Sequence, residues 1–496
     1  MYSHRPGMRL IILVLLTVAA CTTAPLEQRS WLEVRSANFS IYSNLPQEKT
    51  VALSEDLELF RAVVGKLTSA KQFEPRVPTL IVAFARTEQF QPFAPAPSIV
   101  GFFRSGLREN VVALDASGAQ RIDAWTVLFH EYTHFLLHNQ KSVALPLWYD
   151  EGFAEFMGTV QLRDDFVFIG AAPMYRRTNG MLGDTHDLET IVRASGFESW
   201  DDFQISMFYL QSWQLVHYFM LGPGKQAKIG PSLARYVRLL EQGQDEEAAF
   251  ESAFGMDFNA LWREISKYNR LNKIPAVQVP RNAFAPEEGH QIRVVPPAEI
   301  AVQLGFLALA ERRVDLAAGY FARASAADPG RSRAHAGLGV VKQLGEHGEQ
   351  ARPDFERALE LAPEDYQNHL EIAEWLHQMV DKQKRLDLLP EARGHYQRAI
   401  ELAPQVPEGH AMLGSTYLLT DEDPAAGIHA LEHARSLLPG EVSLLLPLAK
   451  LYQRAGRRDE ARAAARRVAR WSHGELGEEA AKLLEQLGEA GGEPPD

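Results

Sequence analysis

From about residue 298 onward the chain repeats itself every 34 residues, and a repeat at that period leaves little choice of architecture. Gly305, Ala317, Phe321, Ala324 and Pro329 return 34 positions later as Gly339, Ala351, Phe355, Ala358 and Pro363. Small residues at fixed places suit points where paired helices touch, the aromatic fills the space between repeats, and proline ends the second helix. A third copy ends in Ala392, Tyr396, Ala399 and Pro404, with about seven extra residues around DKQKRLDLLP. A fourth carries Leu413, Gly414, Tyr417 and Pro439, and a fifth runs through Leu448, Tyr452 and Ala461. HGELGEEAAKLLEQLGEA then reads as a polar capping helix, and the final GGEPPD as a disordered tail.

The period and residue set match the tetratricopeptide repeat. Residues 298–490 are therefore expected to form an all-α solenoid, which is a surface for a protein partner and not a place for catalysis. The texture before it is different. In residues 31–280, SANFSIYSN, VPTLIVAF and ENVVALDAS read as strands. SEDLELFRAVVGKLTS, AWTVLFHEYTHFLLH, FYLQSWQLVHYFML and DFNALWREISKYNRL have helical spacing. The expected class is α+β for this part. Residues 281–297, RNAFAPEEGHQIRVVPP, are rich in proline and charge and read as a protease-sensitive linker, beyond which the repeats should fold alone.

A formal net charge of −13 argues against a broad nucleic-acid interface, and no GxGxxG or GxxxxGK[ST] loop is present to cradle a nucleotide. The single cysteine, Cys21, follows Arg5, Arg9 and a short apolar run from Leu10 to Val18. That run is too short to span a bilayer comfortably and reads as a signal peptide over residues 1–21. Val18-Ala19-Ala20-Cys21 resembles the lipobox of bacterial lipoproteins, which implies lipidation at Cys21. By the same resemblance, the absence of aspartate after the cysteine implies, in a cell that has an outer membrane, a lipid-anchored protein there that faces the periplasm.

The chemistry is concentrated in FHEYTHFLLHNQ, residues 129–140. Side chains four apart lie on one helix face, so His130 and His134 can aim two imidazoles at one Zn2+ ion. Glu131 sits beside His130, where it can take a proton from water polarised by the metal; this is the HExxH arrangement of zinc hydrolases. His138 is two turns from His130, about 12 Å along the axis. One straight helix cannot bring all three histidines to one ion, and HFLLHNQ lacks the HExxHxxGxxH pattern, so His138 reads as a surface or supporting residue. PLWYDEGFAEFMG, residues 146–158, is the source of a third ligand. Glu151 and Glu155 share a helix face, so that Glu151 can bind zinc while Glu155 accepts the free N–H of a ligating histidine, the alternative being Glu155 as ligand with Glu151 outside.

His130-Glu131-x-x-His134 followed by Trp148-Tyr149-Asp150-Glu151-Gly152-Phe153-Ala154-Glu155 resembles the thermolysin-like gluzincin metallopeptidases, and most nearly the bacterial "peptidase MA-like" group fused to helical repeats. The resemblance spans roughly residues 31–275. It implies a zinc peptidase fold with Glu151 as the third ligand and Glu155 as the orienting acid. Asp150 departs from the asparagine common at that place. By the same resemblance GFFRSGLRENVVALDAS is a hairpin with SGLREN as its turn, whose strand rims the cleft and can pair with an extended peptide. The electrophile implied downstream is Tyr209, with His217 the other candidate and more simply a core histidine; Trp125, Trp148 and Trp213 read as core.

Together these imply a membrane-tethered zinc metallopeptidase, with peptide or protein substrates and a protein partner on its repeats. The alternative is a non-catalytic repeat scaffold whose peptidase-like part only binds metal. An intact Glu131 favours the enzyme.

Overall fold

The computed structural model describes residues 24–68, 77–118, 121–140, 145–173, 186–197, 200–223, 229–242, 244–269, 274–284, 286, 289–345, 348–472 and 474–488. Cys21 and the terminal GGEPPD lie outside them. Strands β1 (Leu32–Arg35) and β2 (Phe39–Ser43) precede the long helix α1 (Gln47–Thr68). β3 (Thr79–Phe84), the short helix α2 (Thr87–Phe90), β4 (Gly101–Arg104) and β5 (Asn110–Asp115) follow, and then helices α3 (Arg121–Gln140) and α4 (Leu147–Gly158). With β9 (Gln291–Val294), the order in the main sheet is β4-β5-β3-β2-β1-β9. β2, β3 and β5 run parallel, while β4, β1 and β9 lie antiparallel to their neighbours. β6 (Gln161–Leu162), β7 (Phe166–Ile169) and β8 (Val277–Pro280) make a second, small sheet.

β3 is buried along its whole length, which explains why TLIVAF has no polar alternation. Its residues sort by parity. Ile81 and Ala83 face a core shared with Phe60 of α1 and with Phe129 and Tyr132 of α3. Leu80, Val82 and Phe84 face the opposite way, into a core shared with Ile300, Leu304 and Phe321 of the repeat array. The first repeat helix, Pro297–Ala310, thus covers the second face of the sheet.

This corrects the expected linker. Within residues 281–297, Gln291–Val294 is strand β9, paired in register with β1. Phe284 and Val295 are buried, one in each core. Proline and charge suggested a loop, but Arg293 is held between Glu33 and Glu299, which is how an exposed edge strand carries its charges. The array is therefore joined to the sheet through a common core and does not hang from a tether.

The array itself stacks helix pairs at the sequence period: Pro297–Ala310 with Val314–Ala327, Ser332–Leu344 with Arg352–Leu361, and Tyr366–Gln383 with Leu389–Leu402. Pro407–Ser415 with Ala425–Leu437 and Leu445–Arg454 with Arg458–Trp471 continue it, and Gly474–Gln486 packs on the end. The extra residues of the third copy lengthen its first helix and end it at Lys384 in the left-handed conformation, φ 58°. One regularity was not read from the sequence. His335, His369 and His410 each donate from Nε2 to the carbonyl of the proline six residues earlier, at 3.0, 2.9 and 3.0 Å. Among the described residues no helix is long and apolar enough to cross a membrane.

Ending the chain at residue 296 should uncover Leu80, Val82 and Phe84 and yield aggregated or non-cooperatively unfolding protein. In the full chain Phe84→Ala should cost about 3–5 kcal/mol in denaturant unfolding. A soluble, cooperatively folded truncation would refute the shared core.

Candidate metal centre

α3 buries Leu128, Phe129, Tyr132, Phe135 and Leu136 and leaves His130, Glu131 and His134 half-buried on its other side. Phe129 stacks on Phe60 at 3.8 Å, and Tyr132 Oη accepts from Arg61 Nη1 at 3.2 Å, so the rotation of the helix is set from behind. α4 is wedged between α3 and the helix Asp202–Met220. Gly152 makes that possible: a Cβ there would lie 2.4 Å from the Ser212 carbonyl oxygen. The neighbouring Glu151 is thereby brought over α3.

His130 Nε2 and His134 Nε2 lie 3.1 Å apart, and Glu151 Oε2 is 3.3 Å from each. That oxygen is buried and makes no hydrogen bond. Three mutually equidistant donors suit a tetrahedral ion with bonds of about 2.0–2.1 Å, which sets neighbouring ligand atoms about 3.3 Å apart. Behind them, Glu155 Oε1 lies 3.4 Å from His130 Nδ1, and Asp150 Oδ1 lies 3.2 Å from His134 Nδ1. Each imidazole therefore has a carboxylate on its far side, the arrangement that orients a metal-ligating histidine.

The electrostatics favour a cation here. Burial alone would lower the His130 pKa, but Glu151 and Glu155 outweigh it and raise it to about 9. Burial likewise opposes charge on His134, and Asp150 and Glu151 carry it well above the usual histidine range. Burial would raise the carboxyl of Asp150, but His138 and His134 hold it ionised, far below the usual range.

The structure thus brings His130, His134 and Glu151 to one point, with Glu155 beside His130. Glu131 follows His130 on the same helix. Tyr209, on Asp202–Met220, has its ring 6.1 Å from that of His130. Burial, and then the charges of Glu151, Glu155, Glu131 and Asp150, push its hydroxyl pKa up, so it stays a donor. His217 is elsewhere: fully buried, 2.6 Å from Tyr268 Oη and 3.2 Å from the Gly170 carbonyl. His138 is half-exposed and lies 2.9 Å from Asp150 Oδ2. Trp148 and Trp213 are fully buried, and Trp125 is half-buried against Phe129.

The residue that sequence reasoning undervalues is Asp150. It reads there only as a departure, yet it bridges His134 and His138. Its signal is present in the chain: a second acid adjacent to Glu151 and a third histidine one turn past His134.

No protein-family model and no curated protein matches the chain. Solved structures match part of it. PilF of Pseudomonas aeruginosa is 23% identical over 38% of this chain and 84% of that one, with a TM-score of 0.33. The repeat protein TTC0263 of Thermus thermophilus is 21% identical over 38% and 99%, TM-score 0.33, and the pilus biogenesis factor PilW is 17% identical over 38% and 88%, TM-score 0.32.

If these residues hold the zinc expected from the sequence, Asp150→Asn should weaken it about 10–100-fold, since the carboxylate behind a ligand is lost. His134→Ala should abolish stoichiometric binding. Competition against a chelating dye measures both, and wild-type affinity in Asp150→Asn would remove Asp150 from the site.

Proposed function

We propose that the chain is a zinc-dependent peptidase, tethered to a bacterial envelope by lipid on Cys21. The observation that carries the reading is the convergence of His130 Nε2, His134 Nε2 and Glu151 Oε2 within 3.1–3.3 Å, with Glu131 on the same helix as the histidines and Tyr209 beside His130 on the helix Asp202–Met220. The lipobox-like VAAC supports the tether, and the paired motifs on α3 and α4 support the gluzincin-like assignment.

His130, His134 and Glu151 would hold the ion, which supplies a Lewis acid and a more acidic water. Glu155 and Asp150 fix the ring orientation of the two histidines. Glu131 accepts a proton from the attacking water and passes it to the departing amine. Tyr209 donates a hydrogen bond to the carbonyl oxygen as negative charge grows there. β4 is an edge strand of the sheet, so an extended peptide can add to its open side. Phe103 of β4 packs against Tyr132 and Phe135 of α3, at 6.4 and 5.9 Å between rings, which ties that edge to the metal helix.

Glu131→Gln keeps the shape and removes the base. It should retain about one zinc per chain and lose hydrolysis of a broad peptide library by about 10²-fold or more. Undiminished cleavage would show the base to be wrong. A wild type that binds zinc and cuts nothing would support the non-catalytic scaffold.

A further inference from the structure

The hairpin that carries β4 ends inside the repeat array. Arg108, in its turn, is largely buried and donates from Nη1 to Glu371 Oε1 at 2.6 Å, from Nε to Glu408 Oε2 at 2.5 Å, and from Nη2 to Glu408 Oε1 and Glu374 Oε1, both at 3.0 Å. Glu371 and Glu374 stand on Tyr366–Gln383 and Glu408 on Pro407–Ser415. Arg333, on Ser332–Leu344, adds a second cation 3.3 Å from Glu371. The first helices of two successive pairs thus converge on Arg108, that of the pair before them reaches Glu371 through Arg333, and the face of the array there is already occupied by the chain's own hairpin. Leu107 beside it packs on Ala411, Ala434 and Leu444. At the other end of the turn Arg104, the last residue of β4, forms a forked pair with Glu311 at 2.8 and 3.2 Å.

Three of the guanidinium's nitrogens are engaged in fixed directions, a fit that a lysine ammonium cannot reproduce. Burial opposes the charge on Arg108, and Glu371, Glu408 and Glu374 more than restore it. A second grip lies at the far end of α3. A Cβ on Gly440 would fall 1.8 Å from the His138 carbonyl oxygen, so this loop of the array rests directly on the last turn of the metal helix. Leu438 belongs to the core under α3.

We infer that the repeat array is the clamp that positions β4 against the metal helix, with Arg108 as the positioning residue and Glu371, Glu374 and Glu408 as its receptor. The inference rests on the peptidase reading only where it says that β4 receives the substrate. Its chemical content is that the ligand of the array's acidic face is an arginine presented by this chain's own β-turn. The clamp fixes the open edge of β4 relative to α3, against which Phe103 packs, and this matters for a long peptide and little for a short one.

The test uses the full chain with zinc. Arg108→Ala should raise backbone hydrogen exchange in residues 101–104 and 110–114 about tenfold, with β2, β3 and zinc content unchanged. It should raise KM for peptides long enough to lie along β4 about tenfold, with kcat and the cleavage of two-residue substrates held. Arg108→Lys should restore only part of either effect. Should Arg108→Ala not fold, Glu408→Gln removes one charge at constant shape and should move exchange and KM the same way by a smaller factor. Unchanged exchange in the hairpin overturns the clamp whether or not the protein is a peptidase. Raised exchange with unchanged KM for long peptides overturns the positioning role. If the wild type cuts nothing, it is the peptidase reading that has failed, and the exchange and zinc measurements still decide the clamp.

Discussion

The central sheet needs a cover on each face, and everything else in the molecule follows from where the two covers come from. Side chains alternate along a strand, so a strand buried throughout must be met by apolar surface from both sides. α1 and α3 supply one side of β3. The helix Pro297–Ala310 supplies the other, from the start of the repeat array. The catalytic candidates therefore ride on a helix whose supporting sheet is completed by a segment more than 150 residues later in the chain. Arrays of this type bury their faces against neighbouring repeats, and here the first repeat treats the sheet as its neighbour.

That joint gives the acidic pocket around Arg108 its place. Once the first pair is seated on the sheet, stacking at a constant period carries later pairs past the end of β4 and β5. Buried charges are tolerated only when paired and hydrogen-bonded, and Arg108 meets that condition by reaching Glu371, Glu374 and Glu408 together. The same logic orders the candidate metal site. Two imidazoles stand among the carboxylates of Glu151, Glu155 and Asp150, a locally negative cage of the kind a cation requires. The cage exists because Gly152 lets α4 approach the helix Asp202–Met220 closely enough to turn Glu151 toward α3.

Much of this was legible in the sequence, because it is local. The spacing of His130, Glu131 and His134 follows from 3.6 residues per turn, and the reading of His138 as outside the cluster of His130, His134 and Glu151 followed from rise per residue. The 34-residue recurrence of Gly305, Phe321 and Pro329 is a property of neighbouring repeats alone. SGLREN could be read as a turn because glycine and polar residues there sit between two apolar runs.

What stayed hidden depends on contacts between distant segments. QIRV reads as linker because it lies in a stretch rich in proline and charge, and only its backbone pairing with β1 makes it a strand. Asp150 reads as a substitution, and only the packing of α4 on α3 sets it between His134 and His138. Arg108 reads as one more charge in a loop, and only the stacking of two successive helix pairs surrounds it with carboxylates. By itself the sequence determined which residues share a helix face and where the repeats begin, since these are set by backbone periodicity. Tertiary structure alone decided that the repeats and the sheet share a core, and which carboxylate stands behind which histidine. Both are questions of distance between segments far apart in the chain, and periodicity carries no information about that distance.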